Sequence, residues 1–553
     1  MKIRTCMSAG LFLFSLSMAA MAQAIPPEIK KAEASIDPEK IRAHVRFLAD
    51  DLLEGRYPGL RGGDLAAKYI ATQFALDGLK PAGDNGTYLQ WIDFVGMKVI
   101  PEQTRFALVP KKGSAIDLKF ADDYTVQNER LTPSVDIDAP IVFVGYGITA
   151  PEFGWNDYAG IDVKGKVVLC IVGDPPSKDP KFFGGDALTY YGRWTYKFEQ
   201  AARMGAVGAL IIHRTDLASY GWDVVKNSNA SEKTYLRNDK VQHLEAASWI
   251  QLDVARRLFA TSGMNVDAEM TSAGKQGFKA IELPVRLKAH VQSTVRPFRS
   301  ANVVGIVPGT KTGKDQAVLY TAHYDHLGFV PGMKGDNIYN GAADNGTGCG
   351  ILLEMARAWA AMPVRPPHDV IFAAVTAEEQ GLLGSEYLGQ HPPVPAGQIA
   401  LDLNYDMILP IGIPQEINVN GAQRTSFYPV VQATAKRFGL AIVPDPRPSA
   451  GTYYRSDHFS LSRVGIPAFS IDPGTLYEGH DRAWGEAKEQ DYNEHRYHNF
   501  SDNYTPDMDF RGDAQLARFG MELGWEAVSA PATIHWKSGD EFEAARKASL
   551  EAK

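Results

Sequence analysis

Cysteine is scarce: the 553-residue chain has three, Cys6, Cys170 and Cys349, spread far apart. No disulfide framework can be built from them, even in an oxidising compartment. Basic charge is also in deficit, since 57 Lys and Arg stand against 65 Asp and Glu for a formal net charge of −8, which argues against nucleic acid as the main partner. Beyond the first two dozen residues no run is apolar over the roughly 20 residues that a membrane span needs. Low-complexity blocks and solenoid-type repeats are likewise missing. What remains is a composition of 45% hydrophobic and 22% charged residues, that of a soluble globular protein, in a chain too long for one core.

The N-terminus follows a different logic. Lys2 and Arg4 supply a positive start, Leu11 to Met18 an apolar centre, and Ala22-Gln23-Ala24 an A-x-A ending. This is the pattern of a cleaved secretory signal over residues 1–24, with the mature chain starting near Ile25. Cys6 has no apolar run before it of the kind that precedes a lipid-attachment cysteine. The expectation is a soluble exported protein, periplasmic or secreted, with no membrane span.

Texture divides the remainder. Residues 25–135 open with two helical patterns joined by a Gly/Pro/Arg loop at Arg56 to Gly63. Residues 136–290 carry β-branched runs such as APIVFVGYGI and GKVVLCIVGD and a helix feeding a strand in FEQAARMGAVGALIIH, which reads as a β-rich insertion. Residues 291–535 alternate apolar strands with helices: ANVVGIVPG, DQAVLYTAH, GILLEMARAWA, DVIFAAVTA. That alternation predicts an α/β fold, a mostly parallel mixed sheet flanked by helices. The charged stretch 536–553 reads as a solvated tail.

In such a sheet, ligands bind beyond the carboxyl ends of the strands. His323-Tyr324-Asp325-His326 follow AVLYTA, Glu378-Glu379 follow DVIFAAVTA, Asp406 follows AGQIALDLNY, and Asp344 sits in the loop GAADNGTG before a helix. Four short segments thus bring His, Asp and Glu to one rim. Imidazole and carboxylate donors suit Zn²⁺ and comparable divalent ions. Two ions sharing one carboxylate need about five protein ligands. A fifth is missing from this set, and His458, His480, His495, His498 and His535 remain as C-terminal candidates.

Taken together, HYD at 323–325, GAADNGTG at 341–348, TAEEQGLLGS at 376–385, NYDM at 404–407 and YHNFSDNY at 497–504 resemble the M28 family of di-zinc metallopeptidases. RFLADDLLEGRYPGLRGG resembles the family's N-terminal segment, and the insertion a protease-associated (PA) domain. The resemblance implies two zinc ions per chain: one held by His323 and Asp406, the other by Glu379 and His498, with Asp344 bridging. It implies Glu378 as general base, Asp325 as the carboxylate that orients His323, Tyr497 as an oxyanion stabiliser, and a cis bond between Asp344 and Asn345. His326 falls on no family position and reads as a bystander, and His458 lines the pocket outside the metal shell. The implied activity is an exopeptidase acting on peptides, of aminopeptidase type. An M28 carboxypeptidase is the alternative, since Arg455 and Asp457 both sit in the pocket-lining segment; a glutaminyl-cyclase-like enzyme and a non-catalytic receptor-like protein stand behind it. Nothing in the sequence selects an oligomeric state.

Overall fold

The computed structural model describes residues 25–552 apart from 219, 231, 239, 240 and 312–315. The expected signal segment, with Cys6, lies outside the described residues.

Strands Ala468–Ser470, Ile399–Asn404, Ala317–His323 and Val370–Val375 run parallel in that order. Strand Ile281–Val307 joins antiparallel to the last of them through its C-terminal end. The strands are buried along their whole length and mostly apolar because both faces are covered. In Ala317–His323, Val318, Tyr320 and Ala322 enter one core and Leu319 the other. Helices Pro38–Leu48, Gly348–Ala360 and Arg511–Val528 cover the first face, and Leu383–Gln390 and His458–Arg463 the second. The expected α/β sheet with flanking helices is therefore present. Among the described residues no helix is long and apolar enough to cross a membrane.

A second set of strands builds its own core. Ser134–Phe143, Val167–Ile171, Gly208–His213 and Ala246–Gln251 run parallel, and Tyr124–Gln127 closes the edge antiparallel. Leu169, Leu210 and Ile250 fill one face, Val168 and Ile211 the other. Strand Ile281–Val307 belongs to both sheets: its first half pairs with Ser134–Phe143 and Arg105–Pro110, its second with Leu89–Val99.

Two expectations need correction. The unit expected at 136–290 begins earlier, because Arg105–Pro110 and Tyr124–Gln127 find their hydrogen-bond partners in its sheet, and no loop interrupts the long strand at 290. The stretch 536–553 is not a solvated tail. Trp536 is 1% and Arg546 1% exposed, and Arg546 donates to the carbonyls of Ile534 at 3.2 Å and Ile399 at 2.9 Å. Arg424 lies over the rings of Tyr453, Trp536 and Phe542 and pairs with Asp540 and Glu541 at 2.7 Å each. Interleaved aromatic residues dock this segment despite its charge.

Candidate metal centre

The parallel register of the three neighbouring strands decides the site. His323 ends Ala317–His323 and pairs across from Val375, so Glu378 and Glu379 begin just beyond the adjacent strand end, and Asp406 follows Asn404 on the other side. Asp344 lies in the turn Ala342–Thr347 that leads into helix Gly348–Ala360. His498 arrives from the turn after helix Arg482–His495. All five expected donors meet.

Asp344 stands at the centre. One of its carboxylate oxygens, Oδ1, lies 3.3 Å from His323 Nε2, which in turn is 3.1 Å from Asp406 Oδ1. Its other oxygen, Oδ2, lies 3.3 Å from His498 Nε2, which is 3.0 Å from Glu379 Oε2. For bonds of about 2.0–2.1 Å in a tetrahedron the donor–donor edge is about 3.3 Å, so these spacings match donors around a shared cation. The donor set fits a pair of divalent ions on chemical grounds too. Four carboxylates, Asp344, Glu378, Glu379 and Asp406, converge in a largely buried space, and a buried charge demands a partner.

Backbone geometry is unusual at these points. The Asp344–Asn345 peptide is cis, and Ala377, Met407 and His498 have φ of 56°, 57° and 54° without being glycine. These three flank Glu378, flank Asp406, and carry the last imidazole. Left-handed conformations of this kind persist where surrounding structure over-determines them, and they cluster at functional sites.

Supporting contacts hold each donor. His323 Nδ1 donates to the backbone carbonyl of Asp325 at 3.2 Å, which leaves Nε2 with its lone pair for a cation. The Asp325 carboxylate, expected to orient His323, stands with Oδ1 3.8 Å from Nδ1 and accepts the Glu378 backbone N–H at 3.1 Å. Ser456 donates to Asp406 Oδ2 at 2.6 Å and accepts from Asn404 Nδ2 at 2.7 Å. Asn345 ties two loops together, donating to Tyr405 O at 2.9 Å and accepting from Met407 N at 3.2 Å. Tyr497 stacks on the His498 ring with centroids 3.9 Å apart.

Electrostatics separate the two adjacent glutamates. Burial pushes Glu378 well above the usual carboxylate range, aided by the Asp406 and Glu379 carboxylates and opposed by His323. Burial acts the same way on Glu379, but His498 and His326 outweigh it and hold that carboxyl at about 2. The two adjacent carboxyls are thus driven in opposite directions by their surroundings.

Four contributors carried no role in the sequence. Arg56 is buried and donates to the carbonyls of Tyr324 at 2.7 Å and Gly341 at 2.9 Å, and to those of Leu48 and Asn340. Asp502 accepts from the backbone of Ala343 and Asp344. Ser456 was visible only as part of a pocket-lining segment. His326, read as a bystander, is buried and lies 2.6 Å from Glu379 Oε1 through Nδ1. The one signal for Asp502 was its place four residues after His498 in YHNFSDNY. His458 packs its ring edge-on against Tyr453, while His480 stacks on Trp484 and His495 pairs with Asp491, both outside the cluster.

Residues 302–515 match the family described as Peptidase family M28. Aminopeptidase YwaD of Bacillus subtilis (strain 168) is 34% identical over 253 residues, 44% of this chain and 40% of that protein. Leupeptin-inactivating enzyme 1 of Streptomyces exfoliatus is 27% identical over 247 residues, 42% of this chain and 51% of that protein. The chain thus spans about half or less of the length of these curated relatives. Among solved structures, an aminopeptidase from Aneurinibacillus sp. strain AM-1 shares the fold with a TM-score of 0.50 and 18% identity, over 90% of this chain and 96% of that one.

Proposed function

We propose, from the match of residues 302–515 to peptidase family M28, that the chain is a zinc-dependent exopeptidase that removes N-terminal residues from peptides. The observation that carries this reading is the division of the Asp344 carboxylate between two imidazole–carboxylate pairs, His323 with Asp406 and His498 with Glu379. Those five side chains would hold two ions, Asp344 serving both. Zinc bound there would supply Lewis acidity toward a peptide carbonyl and make water a nucleophile near neutral pH.

The chain's own residues do the rest. Glu378, with Oε2 at 3.9 Å from His323 Nε2, borders the donor set without making its closest contacts. It takes the proton of the attacking water and returns it to the leaving amine, work that needs a carboxylate able to exchange a proton. The Asp325 carbonyl fixes the His323 ring, and the Asp325 carboxylate fixes the backbone from which Glu378 projects. Tyr497, stacked on His498, donates its phenolic hydrogen to the carbonyl oxygen as charge develops there. The names of the relatives support the aminopeptidase reading over the carboxypeptidase one. The N-terminal pattern of Lys2, Arg4 and Leu11 to Met18 supports export, and the second core supports a PA-like unit beside the catalytic sheet.

The test is a panel of aminoacyl chromogenic amides and N-blocked peptides, assayed with and without a chelator. Chelator-sensitive cleavage of the free-amine substrates is expected. Trimming of only the blocked peptides, from the carboxyl end, would overturn the aminopeptidase reading.

A further inference from the structure

His326 has no role in the proposed reaction, yet its side chain is as buried as that of His323. Its Nδ1 lies 2.6 Å from Glu379 Oε1. A carboxylate only accepts, so Nδ1 carries the hydrogen in this pair. That contact uses one Glu379 oxygen and leaves the other, Oε2, facing His498 Nε2 at 3.0 Å.

The ring is held in place from several sides. Gly341 has φ of 58°, and a Cβ added there would lie 2.6 Å from His326 Cδ2, so only glycine lets the imidazole rest against this backbone. Tyr339 and His498 pack their rings against it with centroids 6.5 and 5.8 Å away. One donor atom each from His326, Asp344 and Glu379 falls within 4.8 Å of the others. The imidazole is therefore inside the cluster and turned toward a specific oxygen.

We propose that His326 is a positioning residue that pins Oε1 of Glu379, so that Oε2 alone is presented beside His498 and Asp344. The proposal rests on the di-metal reading above. A carboxylate free at both oxygens can rotate, or offer both to one ion; a pinned one is pre-organised as a single donor. Glu379 belongs to only one of the two donor pairs, so the effect is confined to one of the two ions. His323 and Asp406 keep theirs.

The experiment uses the full chain, stripped of metal and titrated with Zn²⁺ against a chromophoric chelator, with Co²⁺ absorption as a second readout of the coordination environment. His326→Leu keeps an apolar side chain of similar bulk but no donor, and one of the two zinc equivalents is expected to weaken by about 10–100-fold while the other is unchanged. His326→Asn offers an amide N–H at the Nδ1 position and is expected to restore most of the loss. Simple packing against Gly341 and Tyr339 predicts the reverse order, with the smaller Asn worse than Leu. Should His326→Leu fail to fold by circular dichroism, His326→Gln takes its place, since its amide reaches the Nε2 position and not Nδ1. Equal affinities in all variants, or Leu better than Asn, would overturn the proposal. A wild-type chain that takes up no second equivalent would instead overturn the di-metal reading, and this inference with it.

Discussion

Asp502 accepts the backbone N–H of Asp344 at 3.0 Å, 158 residues away in sequence. The same carboxylate takes the N–H of Ala343 at 3.1 Å and the hydroxyl of Tyr492 at 3.1 Å. The turn that presents the central carboxylate of the cluster is thereby hung from one buried carboxyl group. Asp502→Asn would turn an amide N–H₂ toward groups that also donate. One of them is then left unsatisfied, at a cost of about 1–3 kcal/mol. A lower melting temperature and reduced metal content are expected, read by calorimetry and elemental analysis. An Asn variant equal to wild type in both would show that the turn stands without this acceptor.

Glu378 and Asp344 should fail differently when replaced. Glu378→Gln preserves shape at a residue outside the closest donor contacts, so zinc content is expected to persist while turnover falls about 100-fold or more. Asp344→Ala removes the group in contact with both His323 and His498, and zinc itself is expected to be lost. Metal analysis beside steady-state kinetics separates the two outcomes; a fully active Glu378→Gln enzyme would sink the general-base assignment.

His458 supplies an acid-sensitive element. Burial pushes its imidazole down to about 3, against about 6.5 in the unfolded chain. A depressed folded-state pKa means that the stability is fully present above about pH 6.5 and is lost as the pH falls toward 3, because only the unfolded chain takes up the proton. The slope from this one residue approaches about 1.4 kcal/mol per pH unit. Urea unfolding of chelator-treated protein at pH 7, 6, 5 and 4 measures it. His458→Gln is expected to decline less steeply than wild type, and parallel curves would refute the assignment.

Trp536 anchors the C-terminal segment under Arg424 and beside Phe542, its ring 5.2 Å from the latter. Trp536→Ala opens a cavity at a fully buried aromatic and is expected to cost about 3–5 kcal/mol. Chemical denaturation gives the number. A change under about 1 kcal/mol would mean that the segment contributes little to stability despite its burial.

The sequence by itself determined the parallel sheet and most of the rim that carries the donor cluster. Apolar runs alternating with helical patterns specify a parallel sheet, and a parallel sheet gathers the residues after its strands. The positions of His323, Glu378, Glu379 and Asp406 followed from that local rule alone. His498 needed the family resemblance, because no strand end marks it. Tertiary structure decided what local periodicity does not encode. Arg105–Pro110 could have joined either sheet by its own pattern, and pairing with the first half of Ile281–Val307 assigned it. The charge of residues 536–553 reads as solvated until Arg424, 112 positions upstream of Trp536, supplies a surface for it. Within TAHYDHLG, the backbone after the strand sets where each side chain points. Asp325 therefore orients His323 through its carbonyl, and His326 reaches Glu379 at 2.6 Å. A hydrogen bond depends on atoms meeting within a few tenths of an ångström, and that is fixed only when distant segments have packed.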